Sequence, residues 1–367
     1  MNYKETLYFV ATCLTISIED KNRLAIQKQL QLGMIDWGAV VKVSTAHYVF
    51  PALYCNLIRT NFLQYLPQEL VSYMEHITSL NRERNQQIIT QAKELNTLLL
   101  GKNITPIFLK GTGNLLASLY DDISERMVGD IDFIFSKEDY PKAITILREF
   151  GYSEVLITDY NLPMFKHYPR LIKKNTIVAI EIHKELLPEK YANEFNYNFV
   201  KKNSQVINGI TVLSYTNKLN LSIISNQIND NGFYYKTMAL RNAYDIFLLP
   251  KKTNAKAAVN TLDKLTHPLN CFLAASYEVF NKVDSLEYSN TKKTISYLSV
   301  FNSQFVNRRK TKQQHSRIKN YLFIKERLYI IYKAMIYKEY RAWLFSRITD
   351  KNWYREKLVK LRVKIMA

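Results

Sequence analysis

The chain has 367 residues, more than one small core usually needs, so two or three subdomains are expected. Hydrophobic residues make up 47% and aromatics 13%, which excludes a disordered chain, and 26 tyrosines bring large apolar area whose hydroxyls must find partners. The net charge of +19 is uneven: residues 291–367 hold 20 Lys and Arg against 4 Asp and Glu.

From the N-terminus the patterns are helical. The early apolar run "LYFVATCLTISI" spans about a dozen residues, has only Lys4 before it and ends in "EDK", so a helix is expected there and not a signal peptide. No stretch approaches the roughly 18 uncharged apolar residues of a membrane span. Cys13, Cys55 and Cys271 are far apart and lack metal spacing, which suits a reducing cytoplasm. Trp37 and His47 are expected to pack between helices. Ile88, Ile89, Ala92, Leu95, Leu98 and Leu99 share one helical face, and Gly101 is a natural stop.

The pattern then changes. "ITPIFLKG" has the length and flanks of a buried strand, "TGNLLASLY" returns to helical spacing, and "VGDIDFIFS" predicts a second strand. Ser136 and Asp139 form a capping box ahead of a helix with Pro141 in its first turn, an apolar face of Tyr140, Ile144, Leu147 and Phe150, and a stop at Gly151. "NTIVAIEIHKEL" predicts a third strand, with Glu181 and His183 on one face. Past about Thr216 the periodicity is helical again. The expected organisation is an N-terminal helical region over 1–100, an α+β core with a small mixed sheet over 101–215, its β-α-β-α-β pattern running from about 104 to 200, and a C-terminal helical region with a basic tail over 216–367.

The strand period of two places Asp130 and Asp132 on one face, with Ile131 and Phe133 on the other. Paired carboxylates repel when both are ionised, and a divalent cation relieves that repulsion; hard oxygen donors suit magnesium. Glu181, on a strand able to pair nearby, is a third acid, and three acids over one sheet are able to hold two ions. The Gly111-Thr112-Gly113 turn offers backbone amides, a hydroxyl and a helix start to phosphates. Lys110 and Arg126 are candidates to neutralise phosphate charge. His183 is placed to orient Glu181 or bind an acceptor, and Arg241 and Asp245, four apart on a helix, are expected to form an ion pair.

"LKGTG" at 109–113, Arg126 with "MVG" and Asp130-Ile131-Asp132, "GY" at 151–152 and "IEIH" at 180–183 together resemble the bacterial family of uncharacterised nucleotidyltransferases in the DNA polymerase beta-like superfamily. The likeness extends to "IDWGAVVKVSTAHYVFPALYCNL" from Ile35 and "MALRNAYDIFLL" from Met238, covering about residues 35–250. The resemblance implies a nucleotidyltransferase fold that moves a nucleoside monophosphate from a triphosphate, with ATP favoured, to an acceptor hydroxyl and releases pyrophosphate. It implies that Gly111 and Thr112 contact the phosphates and that Asp130, Asp132 and Glu181 bind magnesium, Glu181 also helping to deprotonate the acceptor; Lys110, Gly113 and Arg126 are further nucleotide-binding candidates from the residues themselves. Thr112 stands where the wider superfamily favours Ser, and in "SNQINDNG" asparagines stand where histidine is expected.

The acceptor is open: a small molecule, a protein side chain or an RNA end. The C-terminal region combines apolar spacing at Leu328, Tyr332, Met335, Trp343 and Leu344 with the basic runs "NRRKTKQQHSRIK" and "WYREKLVKLRVK". That suits RNA or another polyanion, an anionic membrane surface, or a solvated basic face. The rival to an enzyme is a protein that kept the fold to bind nucleotide, RNA or another partner without turnover.

Overall fold

The computed structural model describes residues 1–155 and 166–350. Residues 1–155 and 166–308 form one compact unit, and 309–350 belong to a second. In the first unit α1 (Tyr3–Cys13), α2 (Asp20–Gln31), α3 (Trp37–Ala46), α4 (Phe50–Arg59) and the long α5 (Gln68–Leu100) precede the sheet. Local chemistry starts and stops them. Asn2 and Glu5 close a capping box on α1, the Asp36 side chain accepts the Ala39 amide at the start of α3, and α5 ends on Gly101 as its spacing predicts.

The sheet elements follow: β1 (Ile107–Phe108), α6 (Lys110–Leu116), β2 (Ile131–Ile134), α7 (Asp139–Glu149), β3 (Tyr152–Glu154), β4 (Leu171–Lys173), β5 (Ile180–His183), α8 (Tyr197–Lys202), β6 (Gln205–Ile207) and β7 (Ile210–Val212). The strands form one mixed sheet in the order β3-β4-β5-β2-β1-β7-β6. The three expected strands are its centre. Around them lie four short strands without an apolar period of their own, the three-residue β3, β4, β6 and β7. β2 runs parallel to β5, with Asp132 paired to Glu181 and Ile134 to His183, and antiparallel to β1. Phe133 points to the opposite face, where its ring meets Phe108 edge-on at 5.8 Å. The Asp139 amide bonds the Ser136 hydroxyl at 3.0 Å, as the capping signal requires.

The later helices are α9 (Tyr215–Ile224), α10 (Gly232–Tyr235), α11 (Leu240–Leu248), α12 (Ala255–Val259), α13 (Thr266–Val279) and α14 (Lys292–Ser303). A π-helical turn, Ser225–Asn229, extends α9. One apolar core runs from Leu7 through the sheet to Phe301. All three cysteines are free and buried. His47, at the end of α3, accepts the Leu240 amide on Nδ1 at 3.2 Å and meets the Tyr3 hydroxyl through Nε2. Protonating Nδ1 would set two donors against each other, and burial holds this imidazole down at about 4 from its usual 6.5. A depressed histidine stabilises the fold above pH 6.5 and loses that contribution as the pH falls toward 4, about 3 kcal/mol in all. Urea unfolding at pH 7 and pH 4.5 is expected to show that loss in the native protein and little of it in His47→Gln.

In the second unit α15 (Arg308–Ile336) and α16 (Lys338–Ile348) meet through Ile330, Ala334 and Tyr340, with Trp343 and Leu344 packed against them. Leu328, Tyr332 and Met335 are exposed. The run "WYREKLVKLRVK" lies outside the described residues. No described helix is long and apolar enough to cross a membrane.

Candidate functional site

The site begins where β1 gives way to α6. Lys110 takes a left-handed backbone, φ +48°, and its Nζ donates to Asp132 Oδ1 at 2.7 Å and reaches Glu181 Oε2 at 3.3 Å. Thr112 is fully buried, and its hydroxyl donates to the Asp130 carbonyl at 3.1 Å, tying the turn to the start of β2. Gly113 lets α6 close on β1: a Cβ there would lie 2.7 Å from the Phe108 carbonyl oxygen, a backbone atom that cannot swing aside. Gly113→Ala is therefore expected to cost about 1–3 kcal/mol, read from the chemical denaturation midpoint.

The loop that carries Asp130 is held from below by α5. Asn81 donates to the Ser124 and Arg126 carbonyls, Asn85 to those of Ile123 and Arg126, and Arg84 to that of Val128. A loop with its carbonyls so occupied holds its shape without regular structure. These asparagines sit on the buried stripe of a helix, and polar residues at apolar positions were their signal in the sequence.

Asp130 precedes β2 by one residue, and Arg170 joins it to Glu181 through contacts of 2.9 Å to Asp130 Oδ2 and 3.5 Å to Glu181 Oε1. His183 Nε2 lies 2.8 Å from Asp132 Oδ1 and 3.1 Å from Glu181 Oε2, and His167 Nδ1 is 3.6 Å from Glu181 Oε1. Burial opposes ionisation of Glu181, but the His183 hydrogen bond and the Lys110 charge outweigh it and hold the carboxyl well below its usual range. Asp130 is raised, first by burial and then by Asp132 and Glu181, against the pull of Arg170. Burial works against the Lys110 ammonium, and the two carboxylates outweigh it and raise its pKa.

Asp132, Glu181 and His183 each offer a donor atom, all within 4.8 Å of one another. His183 Nδ1 is buried without a hydrogen-bond partner. Two hard carboxylates and an imidazole fit a divalent cation, whose charge would share the role now filled by Lys110. The structure thus brings Asp130, Asp132, Glu181, His183 and Lys110 together, all of them candidates from the sequence, and adds Arg170 and His167.

Arg126 lies behind the turn and is buried. Its Nε pairs with Asp245 at 3.1 Å, its Nη1 donates to the Met127 carbonyl, and its guanidinium carbon is 3.6 Å from where a Cβ on Gly111 would stand. Tyr120 donates to the same Asp245 at 2.7 Å. The expected Arg241–Asp245 pair is not formed, because Arg126 reaches the carboxylate from across the fold and Arg241 turns instead over the Tyr48 ring. Lys218 has no counterpart among the expectations: buried on α9, it donates to the Gly113 carbonyl at 2.8 Å, and burial lowers its pKa to about 7.

A family model described as uncharacterised nucleotidyltransferase matches residues 33–279. Among solved structures, a candidate nucleotidyltransferase from Helicobacter pylori is 14% identical, covering 66% of this chain and 96% of its own, with a TM-score of 0.28. JHP933 from Helicobacter pylori is 13% identical, covering 68% and 97%, also at 0.28. No curated protein matches the chain. With two thirds of its length matched by that model, the chain belongs to the uncharacterised nucleotidyltransferase family.

Proposed function

We propose that the protein is a magnesium-dependent nucleotidyltransferase that transfers a nucleoside monophosphate, from ATP by preference, to a hydroxyl acceptor. The observation that carries this reading is the parallel register of β2 and β5, which sets Asp132 beside Glu181 with Asp130 linked to them through Arg170. Asp130, Asp132 and Glu181 would hold two magnesium ions, and His183 is a further donor. Bound there, magnesium supplies charge neutralisation at the reacting phosphate and lowers the pKa of an attacking oxygen.

Lys110 stands against the acids and would meet the phosphates, helped by the turn of Gly111, Thr112 and Gly113 that follows it and by the Arg126 charge behind that turn. In the reaction a bond forms between the acceptor oxygen and the alpha phosphorus while the bond from that phosphorus to the bridging oxygen breaks. Pyrophosphate leaves, and the hydroxyl proton passes to Glu181 or to water. Holding the partners in line and stabilising charge does most of the catalytic work in such transfers. The basic α15 suits RNA or another polyanion as acceptor or partner. Incubation with alpha-labelled nucleoside triphosphates and magnesium tests the reading: label should move to an acceptor in a cell extract and pyrophosphate should appear. No label moved from any of the four nucleotides would sink it.

A further inference from the structure

Two cations near the carboxylates, Lys166 and Arg241, make no ion pair among the described residues. Lys166 is fixed at the end of β5, where its carbonyl accepts the Lys184 and Glu185 amides at 2.7 and 2.8 Å. Asn229 donates to the Leu186 carbonyl at 3.2 Å, which brings the π-helical turn, and Asp230 after it, over the same strand end. Arg241 opens α11, whose Asn242 is bound to Ser222 of α9 and whose Asp245 is taken by Arg126. The Arg241 Nε is buried without a partner, and among the described residues its guanidinium makes no ion pair or hydrogen bond. It lies over the Tyr48 ring, 5.0 Å away. The Lys166 ammonium has no ion pair among the described residues either, and burial lowers the pKa of both groups. Both cations and Lys110 share the field of Asp230, which continues the charge cluster of Glu181 outward.

Asp230 supplies part of the counter-charge to both cations, yet burial still outweighs it and the Arg241 donors stay unbonded, so their place is explained by an anion that arrives later. We propose that Arg241 and Lys166 form an anion subsite beside the carboxylates and take the phosphate chain of the nucleotide. This rests on the nucleotidyltransferase reading for the identity of the anion. A guanidinium with free donors suits phosphate oxygens, and a flexible ammonium neutralises a second charge along the chain.

Calorimetric titration of the full chain with inorganic tripolyphosphate, ATP and adenosine tests it, using the native protein, Arg241→Gln, Arg241→Lys and Lys166→Met. Tripolyphosphate and ATP are expected to bind the native protein and to bind Arg241→Gln and Lys166→Met about tenfold or more weakly. Arg241→Lys should recover part of the loss, and adenosine affinity should change by less than about twofold, since it carries no phosphate. Without ligand, the melting temperatures of Arg241→Gln and Lys166→Met should hold or rise. Tripolyphosphate that binds none of the proteins, or binds native and substituted chains alike, overturns the subsite; so does a melting temperature that falls in Arg241→Gln while anion affinity persists, which marks a structural cation. Lys166→Met carries the test if Arg241→Gln does not fold. Tripolyphosphate binding that depends on both cations, in a protein that moves no label, would keep the subsite and reject the nucleotidyltransferase reading.

Discussion

Asp132→Asn is expected to lower label transfer by about a thousandfold or more, equivalent to about 4 kcal/mol of transition-state stabilisation. Asp132 is the carboxylate that most of the site touches. Lys110 donates to it, His183 bonds it, and Glu181 stands opposite it in the sheet register. Asparagine keeps the shape and one oxygen while removing the charge that a divalent cation needs. The fold should tolerate the change, because Lys110 and His183 both keep Glu181 as a partner. Transfer rates beside thermal melts separate the two effects. A variant retaining a tenth of native activity with an unchanged melt would remove Asp132 from the centre of the reaction.

The largest loss of stability is expected from Glu125→Ala, about 3–5 kcal/mol. Glu125 is a buried carboxylate in the turn before Asp130, and three parts of the first unit converge on it. Arg59 of α4 pairs with it, Tyr244 of α11 donates its hydroxyl, and the Asp122 amide donates at 3.0 Å. Alanine leaves a guanidinium and a buried hydroxyl without their acceptor, which costs more than the bonds themselves contribute. Urea denaturation followed by tryptophan fluorescence and by circular dichroism measures the loss. Glu125→Gln, which keeps an acceptor oxygen, should fall between alanine and the native chain, and a loss below about 1 kcal/mol in Glu125→Ala would show that the convergence is not stabilising.

Both substitutions concern residues of very different visibility in the sequence. Asp130 and Asp132 stand out because strand alternation is a local rule, and Gly101 and Ser136 because stops and caps act over a few residues. The Asp132–Glu181 pairing joins strands some fifty residues apart, and no local pattern encodes its register. Glu125 looks like any loop acid until Arg59 and Tyr244 arrive from distant helices. The i, i+4 spacing of Arg241 and Asp245 suggested a pair by a rule that holds on exposed helices, and a buried arginine 119 positions away outcompeted it. The β6–β7 hairpin did carry a local sign, Asn208-Gly209 between "VI" and "IT", both with positive φ, which is the chemistry of a tight hairpin turn.

The left-handed backbone of Lys110 has a further consequence. A residue with a Cβ pays about 1–2 kcal/mol for that conformation, and glycine would relieve it. Glycine would also delete the ammonium that spans Asp132 and Glu181. That deletion leaves two buried carboxylates facing each other, at a cost of about 3–5 kcal/mol that exceeds the relief, so backbone strain and charge are opposed at position 110 and charge prevails. Directed evolution for heat resistance alone should therefore keep the lysine and gather its gains elsewhere, and glycine at 110 should be accepted only when a bound divalent cation takes over the charge between the two carboxylates.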